Sequence, residues 1–303
     1  MKRRAAFVVV GLCYGALGLG TARAYVIPPE PLVDLGVGVS GGVDALTGTW
    51  TAVVSRESTV QVSLRPDHRG TEFQRSLTCA FSDLKLSPEQ VAGSSKDVSF
   101  ELVRDAGVLR FAGRFQSSEG MGRFSFVASA DFLVSMRAFG YSAMDTEKAY
   151  ALAAHDVSRW FIPELASLGY RGLGFDQLVA LRVHGADAAF IRGLRAVGYD
   201  ALSVDQLVRF RVQGVSPEFI AQMRAVGYAR LSPGDLESLR THGVDAEFAR
   251  ELQTLGYPSA SPADLVNLRA HGVTPDFVRR ATVAAKAFVP VSRLVDLRAQ
   301  TRP

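Results

Sequence analysis

Four of the chain's five histidines fall at one phase of a fixed rhythm: His155, His184, His242 and His271, with Gln213 standing where another would come. A column of imidazoles can bind a metal or sense pH, because the ring titrates near neutrality. It can also do something plainer, since a polar residue just before a C-terminal glycine complements the negative end of a helix. Rungs one helix apart lie about 10 Å from each other, whereas metal–nitrogen bonds are about 2 Å long. Successive histidines therefore cannot share one ion, and the spacing favours the capping role.

A second column is arginine: Arg182, Arg211, Arg240, Arg269 and Arg298, with Arg137, Arg195 and Arg224 on the preceding segments. Guanidinium groups in a row can hold phosphates or carboxylates. Asp176, Asp205, Asp235 and Asp264 recur beside them and are expected to neutralise the row. Residues 131–303 carry 20 basic against 18 acidic residues, so structural ion pairs and solvated faces are the expectation. The candidate binding surface is Arg182, Arg211, Arg240 and Arg269 with His184, His242 and His271. No His-Glu-x-x-His, P-loop or Cys/His pair is present, and spacing alone singles out no Ser/His/Asp triad. No catalytic residue, cofactor or metal is expected.

Both columns hang on a larger repeat. Phe132, Phe161, Phe190, Phe219, Phe248 and Phe277 are each 29 residues apart, and self-similarity at such a period marks a repeat array. Each unit reads as two short helices. The first is expected to open at Ser158, Asp187, Ser216, Asp245 or Thr274, whose oxygens can satisfy unpaired N–H groups. It is expected to stop at Gly-Tyr (Gly140-Tyr141, Gly169-Tyr170, Gly198-Tyr199, Gly227-Tyr228, Gly256-Tyr257), where glycine takes the left-handed cap. The second opens at Asp145, Ser203, Ser232 or Ser261 and ends at Gly185, Gly214, Gly243 or Gly272. Pro163 conflicts with this grammar: it must delete a helical hydrogen bond or delay a helix start. Helices of about nine residues are marginal alone, so neighbouring units are expected to stack. The end units break the pattern: Glu147–His155 is alanine-rich, and Ala285-Lys286 replaces Gly-Tyr.

The N-terminus adds context. Met1-Lys-Arg-Arg4, an apolar Ala5–Gly20 and Thr21-Ala-Arg-Ala24 make a secretory signal peptide, with cleavage expected after Ala24. Removing residues 1–24 takes Lys2, Arg3, Arg4 and Arg23 and no acid, leaving 30 basic against 30 acidic residues. The mature chain is formally neutral, so no nucleic-acid partner is expected. No integral membrane span is expected in it either, since the apolar run is short and lies in the signal. Cys13 leaves too, so Cys79 has no intrachain partner and reads as a small buried hydrophobe. Residues 25–47 read as a Pro/Gly-rich leader or linker. There Gly36-x-Gly38-x-x-Gly41 and Gly38-x-Ser40-x-Gly42 match nucleotide and nucleophile-elbow patterns without the flanking strand and helix that those motifs need.

Residues 48–130 read as antiparallel β: Thr49–Val54, Val60–Leu64, Phe73–Phe81, Val98–Val103, Val108–Phe115 and Arg123–Val127, with a helical turn near Leu86–Val91. Arg104–Gly107 and Ser117–Gly122 read as connections. Six strands in about 80 residues suit a small sandwich or a partly closed barrel. Gly48-Thr49-Trp50 resembles the Gly-x-Trp of lipocalin-type barrels, which implies a ligand barrel; the plainer role for Trp50 is to plug the barrel end. The fold class expected is α+β: a small antiparallel β sandwich or barrel (48–130), then a helical-hairpin solenoid of six 29-residue units (131–303).

The phrase running from an aromatic through Leu-Arg-Ala-x-Gly-Tyr to Asp-x-Leu-x-x-Leu-Arg-x-His-Gly-Val resembles tandem repeats of uncharacterised bacterial envelope proteins. It is also similar to C-terminal regions of some BlaR1-type membrane metallopeptidases, where the repeats often follow a β-rich unit like Val98–Gly107 and Phe111–Phe115. The peptidase part has no counterpart here. The resemblance implies an accessory or sensory ectodomain and carries over no catalysis. The expected function is a secreted or periplasmic binding or scaffold protein whose array presents an extended surface to an envelope protein or peptide. Alternatives are a β unit that binds a small apolar ligand and a hydrolase with an unrecognised site. The sequence is silent on oligomeric state.

Overall fold

The computed structural model describes residues 45–55, 59–67, 74–92 and 96–301. The expected signal peptide with its cleavage site, the leader up to residue 44 and the two glycine-rich motif matches lie outside those residues. Alternation of apolar and polar residues builds six strands: β1 (Leu46–Val54), β2 (Thr59–Pro66), β3 (Arg75–Ala80), β4 (Lys96–Arg104), β5 (Gly107–Gln116) and β6 (Glu119–Ala128). They form one antiparallel sheet in the order β3-β2-β1-β6-β5-β4. At its centre β1 runs against β6, with Leu46 opposite Phe126 and Thr51 opposite Met121.

The sheet is not a sandwich; it is a single curled half-barrel, in line with the partly closed barrel expected, and it stays open on one side. The reason lies between β3 and β4. There the chain makes two short helices, α1 (Phe81–Leu84) and α2 (Pro88–Val91), in place of a strand-to-strand hairpin. Leu84 and Val91 are buried, and α1 contacts both edge strands, β3 and β4, so a helix spans that side in place of strand pairing. The connection expected over 117–122 shrinks to Ser117 and Ser118, at φ 51 and 68°. A two-residue turn with both φ positive matches the twist of a hairpin, which leaves Gly120 and Gly122 inside β6.

Those glycines make room for Trp50. It stands mid-strand opposite Gly122, not at a barrel end, and its Nε1 donates to the Ala112 carbonyl at 3.2 Å. Phe100, Phe111 and Phe115 surround its rings at centroid distances of 5.3, 6.0 and 5.6 Å. A Cβ on Gly122 would fall 2.1 Å from the Ala112 oxygen and 2.8 Å from the indole nitrogen.

Helices follow: α3 (Ala130–Ala138), α4 (Thr146–Ala154), α5 (Phe161–Ser167), α6 (Phe175–Val183), α7 (Ala188–Ala196), α8 (Val204–Gln213), α9 (Pro217–Ala225), α10 (Pro233–Thr241), α11 (Ala246–Thr254), α12 (Pro262–Ala270), α13 (Pro275–Ala285) and α14 (Val291–Gln300). The alanine-rich α4 packs against β1, β3, β5 and β6. Ala149, Tyr150, Ala151, Leu152 and Ala153 are all buried, as befits a helix apolar on every side. Tyr150 stacks on Phe124 and meets Phe126 edge-on, at 6.0 and 5.7 Å. A helix from beyond residue 130 thus fills the inner face of the sheet, and one apolar core runs from Trp50 to Leu294.

Asp187, Ser216, Asp245 and Thr274 each accept the N–H of the residue three further on, as do Asp145, Ser203, Ser232 and Ser261. Ser158 does not. Helix α5 starts at Phe161 instead, which puts Pro163 in a first turn that needs no intrahelical donor. The glycines of the Gly-Tyr stops sit at φ 88–96°. Beyond α5, helices contact the helix two further along: α6 with α8, α8 with α10, α10 with α12, α12 with α14, and likewise α7, α9, α11 and α13. Among the described residues, no helix is long and apolar enough to cross a membrane.

Gly122→Val should destabilise the fold by about 2–3 kcal/mol through overpacking against Trp50. Urea denaturation followed by tryptophan fluorescence measures it; an unchanged midpoint would mean that the indole is not held where described.

Candidate binding surface

Each arginine of the expected column lies over the phenylalanine 21 residues before it. Arg211, Arg240 and Arg269 stand 4.4, 4.9 and 4.7 Å from the ring centroids of Phe190, Phe219 and Phe248. Arg182 and Arg298 stand 5.9 and 5.5 Å from Phe161 and Phe277. A guanidinium is held there by the negative face of the ring. Arg211, Arg269 and Arg298 also donate through Nε to the carbonyls of Gly185, Gly243 and Gly272, at 2.6, 3.0 and 3.0 Å. Glycine is needed twice over at Gly185: its φ is 67°, and a Cβ would come 3.0 Å from the Arg211 guanidinium.

The expected neutralisation by Asp176, Asp205, Asp235 and Asp264 does not occur. Asp235 and Asp264 accept instead from the N–H and hydroxyl of Ser232 and Ser261, closing the helix starts. An acid in the first turn is better placed there, beside the positive end of the helix. Among the described residues, Arg182 alone of the five meets a carboxylate, that of Asp156.

His155, His184, His242 and His271 occupy the C-cap positions of α4, α6, α10 and α12. Nδ1 of His242 and of His271 donates to the Ser238 and Asn267 carbonyls at 2.8 and 2.9 Å. His155 differs. Burial, helped by the charge of Arg75, pushes its pKa down to about 4, so it is neutral at ordinary pH. Among the described residues, no three His, Cys, Asp or Glu side chains gather as a metal-binding group.

Two contacts escaped the sequence. The first is a tyrosine tie: the hydroxyls of Tyr141, Tyr170, Tyr199, Tyr228 and Tyr257 donate to the carbonyls of Leu173, Leu202, Leu231, Ala260 and Val289, at 2.5–2.8 Å. Gly-Tyr signals only a left-handed helix stop; the fixed phase of the tyrosine was the available clue. The second is a charged knot. Asp105, in the β4–β5 turn, accepts from the backbone N–H and Nε of Arg159 at 2.6 and 2.8 Å and from its Nη2 at 2.6 Å. Asp156 bridges Arg104, at 3.4 Å, and Arg182. Partial burial would raise the Asp105 pKa, but the hydrogen bonds and charge of Arg159 outweigh it and hold the carboxyl below its usual range. No local signal marks a pair 54 residues apart. Cys79 is buried nearby, and burial raises its thiol pKa against the opposing charge of Arg104.

With those polar groups engaged internally, open surface lies elsewhere. A groove of about 530 Å³ runs between α13 and α14, lined by Phe277, Ala281, Ala284, Phe288 and Leu297 and flanked by Arg280 and Arg293. Phe288 is 63% exposed and Val283 is 76% exposed. A smaller groove of about 240 Å³ lies among Phe139, Tyr141, Ile162 and Tyr170. Comparison with protein-family models and with curated proteins finds no match for this chain.

Asp105→Asn should cost about 1.5–3 kcal/mol at pH 7, the usual worth of a hydrogen bond to a charged group. Because the folded-state pKa is depressed, the stabilisation is complete above the unfolded value near 4 and is lost as pH falls through the folded value. Urea titrations of both proteins at pH 7 and pH 3 should show the gap narrowing on acidification. A gap that does not depend on pH would remove the charge from the explanation.

Proposed function

We propose that this chain is a non-enzymatic binding or scaffold protein of the bacterial envelope, secreted or periplasmic after cleavage near Ala24. In this proposal residues 131–303 are a solenoid of six 29-residue helical hairpins that presents an extended surface to a protein or peptide. The tyrosine ties and the arginine-over-phenylalanine contacts, recurring at the sequence period, support the array. Each short hairpin then depends on its neighbours for burial. The observation that carries the binding function is the uncovered apolar groove of α13 and α14. Contiguous exposed apolar surface with a polar rim marks interaction sites. The likeness to envelope proteins and to regions of BlaR1-type proteins fits an accessory or sensory ectodomain. A small ligand held by the sheet has less support, because α4 occupies that face.

Two experiments test this. Deleting residues 274–303 removes the last whole hairpin, α13 with α14; circular dichroism should show a folded, less stable protein, and loss of all cooperative melting would contradict a nearest-neighbour array. In cells, a photo-crosslinking residue at Phe288 should give a discrete adduct with an envelope protein, whereas the same residue at the exposed Val134 of α3 should not. Absence of any adduct at 288, or the same adducts at both sites, would overturn the binding role.

A further inference from the structure

The groove at the chain's last two helices exposes positions that are core everywhere else. Phe132, Phe161, Phe190, Phe219 and Phe248 are at most 6% exposed, whereas Phe277, next in the series, is half-buried. Met136, Leu165, Leu194, Met223 and Leu252 are fully buried; Ala281 follows them and is half-buried. Leu181, Phe210, Leu239 and Leu268 are fully buried, and Leu297 after them is half-buried. The cover that the earlier positions receive is helical: α13 lies on α11 and α14 lies on α12. The face of α13 and α14 is therefore shaped for helices, with Ala281, Ala284 and Ala285 as a low floor that lets a backbone approach.

Charge narrows the occupant. Arg280 and Arg293 line the groove, no carboxylate lines it, and neither arginine is ion-paired among the described residues. The neighbouring Arg279 is already engaged by Asp276. Where the tyrosine series would continue, Lys286 stands instead, in the left-handed conformation at φ 51°. A second copy of the chain would bring the same cations to the same face, and like charges across an interface are unfavourable.

We propose that this groove receives a helix of another protein, one carrying an apolar stripe at i, i+3/i+4 and i+7 with acidic side chains along its flanks. Such a helix lays its stripe into an apolar groove while its carboxylates meet Arg280 and Arg293. The proposal rests on the binding function above and names the chemistry of the partner.

The test uses the mature chain and synthetic probes. An amphipathic peptide of about 18 residues, with a leucine stripe and glutamate flanks, is titrated by fluorescence anisotropy against a twin with lysine flanks. The glutamate peptide should bind about tenfold or more tightly than its twin, with salt weakening it. Arg280→Glu with Arg293→Glu should reverse that preference. Ala284→Glu, on an exposed helical position, should abolish binding while leaving the thermal melt unchanged. Equal affinity for both peptides, binding indifferent to Ala284→Glu, or a preference that the double reversal leaves in place would overturn the proposal. So would self-association in sedimentation velocity that buries Phe288, or binding to phosphatidylglycerol vesicles in place of the peptide. A crosslinked envelope partner at Phe288 together with no preference for the acidic peptide would sink this proposal and leave the binding function standing.

Discussion

Nine residues make about two and a half turns of helix, and a segment that short does not hold in water by itself. Ten of the twelve helices after the sheet are nine or ten residues long; α5 has seven and α13 eleven. Their stability must come from what they lie against. The constraint explains why capping is so regular here. In most of these helices a side-chain oxygen at one end and a left-handed glycine at the other limit fraying, and the apolar stripe between them packs on the neighbour. It also explains where the polar side chains went. An arginine over a phenylalanine and a tyrosine on a distant carbonyl each tie one short element to another.

The sheet follows the same logic from the other side. A six-stranded sheet left open between β3 and β4 has an inner face that must be covered. Alpha-helix α4 supplies the cover, and its alanines are what allow a helix backbone to come so near. Asp105 and Arg159, with Arg104, Asp156 and Arg182, then fix the rim where strands end and helices begin. The sheet and the helices after it therefore share one core.

Much of the architecture was legible because it rests on local chemistry. Strands showed as alternation, and the starts at Asp187, Ser216, Asp245 and Thr274 showed as oxygen-bearing residues before apolar ones. Ser158 misled because Pro163 follows it too closely for a helix to begin there. The sandwich alternative misled because all six strands pair into one sheet, and how far that sheet curls depends on the chain between β3 and β4, which turned to helix. The arginine column was visible as a pattern but not as an environment. Acids nearby in sequence suggested ion pairs; in space Asp235 and Asp264 close helix starts, and aromatic rings stand against the arginines. The Asp105–Arg159 pair left no trace, since it arises from what lies next to what; of the groove at α13 and α14 only the change to Ala285-Lys286 showed.

The tyrosine tie also limits how this chain can change in length. Each hydroxyl reaches a carbonyl 32 residues on. Adding or dropping one residue inside that span rotates the following helix by about 100° and turns its apolar stripe away from its neighbour. Gaining or losing 29 residues at once leaves every remaining tie with a partner in the right register. Insertions and deletions that keep these ties in register are therefore expected in steps of 29 residues, the spacing of the tyrosines.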